Sequence, residues 1–335
     1  MNVLAKRITR KQSGAALIAF LLVFITAASF KLLKNLNVLA TKRYSDAQTA
    51  QALTEAKAAL IGYAASDSNR PGELPCPDFN NDGWSRPVPE YAGPDCKRLL
   101  GWLPWKTLRL PETADGAAER LWYAVSDDYH ANGAAKLNSD VQGQLPVDGV
   151  NDVVAVILAP FEPVGGQSGR PGTDAEVDVG KYLEDINSDG DLTNYTASGA
   201  GVINDRLITI TRRDLMIPTE RRVAGELRNV LKSYFATSNY YPYAAEFDAS
   251  TYTCTPNVRH GRLPLVFGPD CSTLTDWGGT AVLPLWFEPN DWHTVTYYAV
   301  APSCTKTTPG CDDELLTVNN VSPAVDKKQA VVVMT

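Results

Sequence analysis

The chain has no cysteine before Cys76, no acidic residue among its first 14 positions, and neither glycine nor proline between Ala15 and Ile61. No two cysteines stand in the C-x-x-C spacing of a zinc or redox site, which argues against metal and redox chemistry at cysteine. Histidine is scarce: His130, His260 and His293 lie far apart, in no metal-ligand spacing. The chain has no net positive charge, and its value of −7 argues against a nucleic-acid surface, which needs clustered Lys and Arg. What is present is the composition of a folded protein, 44% hydrophobic and 21% charged over 335 residues, enough for two ordinary domains.

Glycine and proline account for 24 and 22 residues, so about six would be expected by chance between Ala15 and Ile61. Their absence predicts one continuous helix over 15–66, roughly 70 Å long at 1.5 Å per residue. Its first half, 15–36, is apolar on every side from Ala15 to Phe30. That is the pattern of a membrane-spanning segment, though slightly short of the ~20 residues usually needed. The second half, 37–66, carries apolar residues at helical spacing (Ala47, Ala50, Leu53, Ala56, Leu60, Tyr63), which predicts one packed face. Lys6, Arg7, Arg10 and Lys11 before the run would hold the N-terminus in the cytoplasm. An ordinary signal peptide cut near Ala27-Ala28-Ser29 fits the same composition.

A basic leader ending in glycine, then an apolar helix that turns amphipathic, resembles the type IV pilins and type II secretion pseudopilins. The resemblance implies a leader of residues 1–14, with Lys11 in the recognition flank and cleavage between Gly14 and Ala15 by a prepilin peptidase. Two positions depart from the family pattern. Ala15 stands where Phe or Met is usual, and Ala19 stands where a glutamate pairs with the neighbouring subunit's N-terminal amine. A chain without that carboxylate resembles the minor, tip-located subunits.

Beyond residue 66 the sequence becomes rich in Pro, Gly, Asn and Asp, then gives short β-prone runs such as 120–126 and 152–159, an α+β layout. Self-comparison adds four matches in the same order. They are Leu60-Ile-Gly-Tyr63 with Leu231-Lys-Ser-Tyr234, Gly101-Trp-Leu-Pro104 with Gly261-Arg-Leu-Pro264, and Leu121–Val125 with Thr296–Val300. The last, approximate, is Val154–Ile157 with Ala330–Val333. These predict two tandem pilin-like heads on antiparallel sheet, at 67–160 and 219–335, joined by a connecting region at 161–218. The second helix is expected near Thr219, burying Val223, Leu227, Val230, Leu231 and Tyr234.

All six cysteines follow the apolar run, which suits disulfides in an oxidising compartment. Six allow fifteen pairings, and local closure favours Cys76–Cys96, Cys254–Cys271 and Cys304–Cys311. Two loops carry calcium-ligand spacing: Asp185, Asn187, Asp189 and Asp191, and, less well, Asp78, Asn80 and Asp82. Neither has an acid at position 12, where Thr196 and Pro89 stand; an Asx-rich turn explains the Asp185 loop equally well and the Asp78 loop better. Structural calcium is thus the one cofactor expected.

No catalytic constellation emerges. Gly166-Gln-Ser168-Gly169 lacks the spacing of a nucleophile elbow, and Gly165-Gly166 lacks a P-loop lysine. The seven tryptophans and Tyr240–Tyr243 read as packing or, in a rival view, as a glycan-binding face.

The expectation is a non-enzymatic minor pilin-like subunit, single-pass in a bacterial inner membrane with its N-terminus cytoplasmic and its heads in the periplasm or in a pilus or pseudopilus. Its partners would be prepilin peptidase and other pilins, through residues 15–40. The alternative is a secreted or anchored binding module or hydrolase exported by an ordinary signal peptide.

Overall fold

The computed structural model describes residues 13–334 except 86–95, 97, 131–135, 171–177, 190–193, 198–202, 249, 269, 272–276, 278–280, 314 and 320–324. Helix α1 runs Ser13–Ser66, as long as the missing glycines and prolines imply. Its last third packs on the protein through Thr49, Ala52, Leu53, Ala56, Leu60 and Ala64. This face is rotated from the predicted one. Ala47 and Ala50 are exposed and Tyr63 is half-buried, because the packed stripe follows mainly i, i+4 steps rather than mixed threes and fours.

The membrane-spanning half, and with it a single-pass inner-membrane location, is corrected. Among the described residues no helix is long and apolar enough to cross a membrane. The described apolar side chains run from Leu17 to Phe30 before Lys31 interrupts them. That is about 21 Å of helix against the ~30 Å of a bilayer core.

Two antiparallel sheets follow. The larger holds β1 (Leu100–Trp102), β2 (Trp122–Val125), β3 (Leu145–Val147), β4 (Val150–Ala159) and β5 (Arg206–Thr211). β4 is central: β3 and then β2 lie along one edge, and β5 lies along the other, so that Val153 is paired on both sides. Both faces of β4 are covered, so it reads as an unbroken apolar run. Ala155, Ile157 and Ala159 join the core under the helices, and Val153, Val156 and Leu158 pack with Val179, Tyr182, Leu183 and Tyr195. On that outer face Trp122 sits between Trp102 and Tyr182, at centroid distances of 5.1 and 5.3 Å.

Helix α2 spans Arg212–Ser238, seven residues earlier than the sequence suggested. The capping box made by Thr211 and Asp214 starts it, and Pro218, which reads as a breaker, lies inside it. Its buried face includes Val223, Leu227, Leu231 and Tyr234, with Val230 half-buried. β6 (His260–Arg262), β7 (Thr296–Val300) and β10 (Ala330–Met334) form the second sheet, and β8 (Leu316–Val318) pairs with β9 (Val325–Lys328).

The matched sequences occupy equivalent places in the two sheets. Gly101 faces Tyr123 as Gly261 faces Tyr298. Val125 N–H donates to Leu99 O as Val300 N–H donates to Arg259 O, and Ser126 N–H to Val154 O as Ala301 N–H to Gln329 O. The β3–β4 hairpin pairs Leu145 with Val153 and Val147 with Val150; the β8–β9 hairpin pairs Leu316 with Lys328 and Val318 with Val325. The fourth sequence match is therefore shifted by one residue: the counterpart of Ala330 is Ala155.

Two tandem heads are nevertheless not what forms. One apolar core runs without interruption from Leu53 and Leu60 on α1, through Ile157 and Leu227, to Phe287 and Tyr298. The unit is repeated, but its copies are fused. The physical reason is that α2 packs against α1 and the first sheet as well as against β10.

Candidate functional site

Three features of the sequence bear on function: the N-terminal part of α1, the two Asx-rich loops, and the cysteines. Lys11 and Asp191 lie outside the described residues. Gly14 and Ala15 fall within α1, and Ala19 is exposed on it. Around Ala19 the helix exposes Leu17, Ile18, Phe20, Leu22, Val23 and Phe24, each more than half accessible. A continuous apolar surface of this kind is normally covered by a partner.

The cysteines form three disulfides, Cys76–Cys96, Cys254–Cys271 and Cys304–Cys311. Ligand atoms of Cys76, Cys96 and His130 come within 4.8 Å of one another, but the disulfide removes both thiolates as ligands.

The first Asx loop uses its carboxylates on its own backbone. Asp78, fully buried, accepts from the N–H groups of Gly83 (2.6 Å) and Asn80 (3.1 Å), and Asp82 accepts from Trp84 N–H. Burial still pushes the Asp78 carboxyl up, against the downward pull of those bonds. The carboxylates of this Asx turn are engaged by local donors, while Asn80 Oδ1 is buried with no hydrogen-bond partner among the described residues.

The second loop is also rearranged. Asp185–Ser188 forms a short 3₁₀ helix instead of curling around an ion. The Asn187 carboxamide is spent: its oxygen accepts from Thr196 N–H, and its nitrogen donates to Thr196 O and to Asp205. The sequence missed the pair that matters here, Glu184 and Asp205, which are 9% and 3% exposed. Glu184 N–H donates to Asp205 Oδ2, while Asp205 N–H and Asn204 N–H donate to Glu184 Oε2. Each carboxylate thus clasps the other's backbone, fastening the segment over the outer sheet face to the start of β5. Among the described residues, Glu184 Oε1 and Asp205 Oδ1 are buried with no hydrogen-bond donor.

Burial pushes the Asp205 carboxyl up to about 8; the Glu184 N–H pulls it down, and the neighbouring Glu184 carboxyl pushes it further up. Two carboxyls in this setting need a shared proton or a cation. Glu184 adjoins the Asx motif, but Asp205 stands twenty residues beyond it, where no spacing rule points.

The aromatic residues go mainly to packing. Trp102, Trp122, Trp277, Trp286 and Trp292 are buried, as are Tyr240, Tyr241 and Tyr243, and Trp84 is the tryptophan left substantially exposed. Ser168 follows a turn at Gly165-Gly166, and buried Gln167 beside it donates to Leu183 O, a structural role. His130 Nε2 lies 3.1 Å from Asp127, and His293 is buried against Tyr252. No family model, curated protein or solved structure matches this chain.

Proposed function

We propose that the protein is a non-enzymatic, minor pilin-like subunit of a type IV pilus or type II secretion pseudopilus, cut after Gly14 by a prepilin peptidase. Its N-terminal helix packs laterally against the helices of other subunits. The observation that supports this most is the continuity of α1. A single helix leads from Ser13, through a stretch that exposes apolar side chains on all sides, into the folded core. Ala19 in place of an acid suits a subunit at the end of an assembly, with no neighbour's amine to neutralise.

The mature N-terminus tests the reading. Mass measurement or N-terminal sequencing is expected to give Ala15, and a start near Ser29 would sink the proposal in favour of ordinary signal-peptide export. Gly14→Leu is expected to leave the precursor uncut when co-expressed with a prepilin peptidase.

Calcium belongs to this reading as a stabiliser of the Glu184–Asp205 clasp. At pH 8 millimolar calcium is expected to raise the melting temperature of the wild type and leave Asp205→Asn unchanged. A wild-type melting temperature indifferent to calcium and to chelator would remove the ion.

A further inference from the structure

The two copies of the repeated unit differ in one strand. In the first sheet, residues 155–159 of β4 pair along their outer edge with β5, from Ala155 opposite Ile210 to Ala159 opposite Arg206. Their counterparts, Ala330–Met334, form β10. That strand pairs with β7 on one side, and no strand lies on its other side among the described residues. β1, β2, β3 and β4 all have equivalents in the second unit, and no counterpart of β5 is found among the described residues.

A groove of about 770 Å³ lies between α2 and the β9–β10 segment. Its walls carry Arg221, Arg228, Lys232, Lys327 and Lys328, and none of the five has an ion-pair partner among the described residues. Leu231 and Tyr241 contribute apolar surface to the lining.

The first unit shows what such a groove holds. There Lys57 of α1 donates to the β5 carbonyl of Thr209 and to the Asp214 carboxylate just beyond β5, both at 2.8 Å. Aligning Leu60 with Leu231 and Tyr63 with Tyr234 places Arg228 at the position of Lys57.

We infer that this groove binds an extended, acidic segment of a partner protein, which adds to β10 as an antiparallel strand in the place β5 takes on β4. Main-chain hydrogen bonds along Ala330–Met334 would hold the segment. The apolar lining would take alternate side chains, and a carboxylate would meet Arg228 as Asp214 meets Lys57. The inference does not depend on cleavage at Gly14 or on assembly through α1.

The probe is a synthetic peptide that keeps Leu-Ile-Thr-Ile-Thr of residues 207–211 and carries Asp and Glu in place of the flanking arginines. Fluorescence anisotropy with the full chain is expected to show saturable binding. Arg228→Glu and Lys232→Glu, checked for unchanged circular dichroism, are each expected to weaken it at least about tenfold. A peptide with the same charges but proline at alternate positions is expected not to bind, because proline removes ladder donors.

No saturable binding to the wild type, or equal binding of the proline peptide, would overturn the proposal; the second result would leave a merely cationic surface. Equal affinity of the charge-reversed variants would also overturn it. So would self-association on sedimentation that the peptide competes away, since the occupant would then be a second copy of this chain.

Discussion

Replacing Gly261 with alanine is expected to cost about 3 kcal/mol or more, and Gly101→Ala somewhat less. Both glycines sit at the middle of a short strand that a neighbouring backbone crosses closely. A Cβ at Gly101 would lie 2.7 Å from the carbonyl oxygen of Asp78. At Gly261 it would come still closer to the carbonyl of Ala245.

The obstacle is main chain in both cases, and that main chain is pinned. Asp78 and Trp102 exchange both backbone hydrogen bonds, and so do Ala245 and Arg262. Neither side can retreat without breaking a ladder, so the loss is not relieved by a rotamer change. Gly62→Ala is the control, since a Cβ there meets nothing within 4 Å on a helix. It is expected to stabilise the protein by about 0.5–1 kcal/mol. Denaturant titration with the disulfides intact measures all three, and equal midpoints for Gly261→Ala and wild type would contradict the close approach.

The second large effect concerns pH. In the fold the Asp205 carboxyl titrates near 8, whereas in the unfolded chain an aspartate titrates near 4. Between those values the native state binds more protons. The stability it contributes is therefore fully present below about pH 4 and is lost as pH rises toward 8. Asp205→Asn mimics the protonated form: its oxygen can accept from Glu184 N–H and Asn187, and its amide can donate to Glu184 Oε1.

The difference in stability between variant and wild type is expected to change by about 2 kcal/mol or more from pH 5 to pH 8.5, in favour of the variant at the alkaline end. Thermal unfolding across that range, without calcium, reads it out. A difference that stays constant with pH would show that Asp205 is ionised throughout.

Several parts of this molecule follow from short-range rules. The length of α1 follows from a stretch without helix breakers, and the disulfide pairs from local closure. Most of the buried face of α2 follows from its spacing. The burial of β4 is written in an unbroken run, Val153 to Ala159, that only a strand covered on both faces requires. The repeat was visible too, because equivalent strands need similar side chains at equivalent positions, although the last match slipped by one residue in a run of valines that offers no marker.

Other features were decided only by tertiary contacts. The calcium-like spacing at Asp185–Asp189 became a 3₁₀ turn because Thr196, brought in from beyond the loop, engages both ends of the Asn187 carboxamide. Asp205 acquired its high affinity for a proton from burial beside Glu184, a contact that no local pattern encodes. The fusion of the two units arose because α2 has to cover apolar surface on both sheets at once. The groove beside β10 lies between α2 and a strand that, among the described residues, is paired only with β7. Sequence determined the elements, whose causes lie within a few residues; the sites depend on which distant backbones meet, and folding of the whole chain settled that.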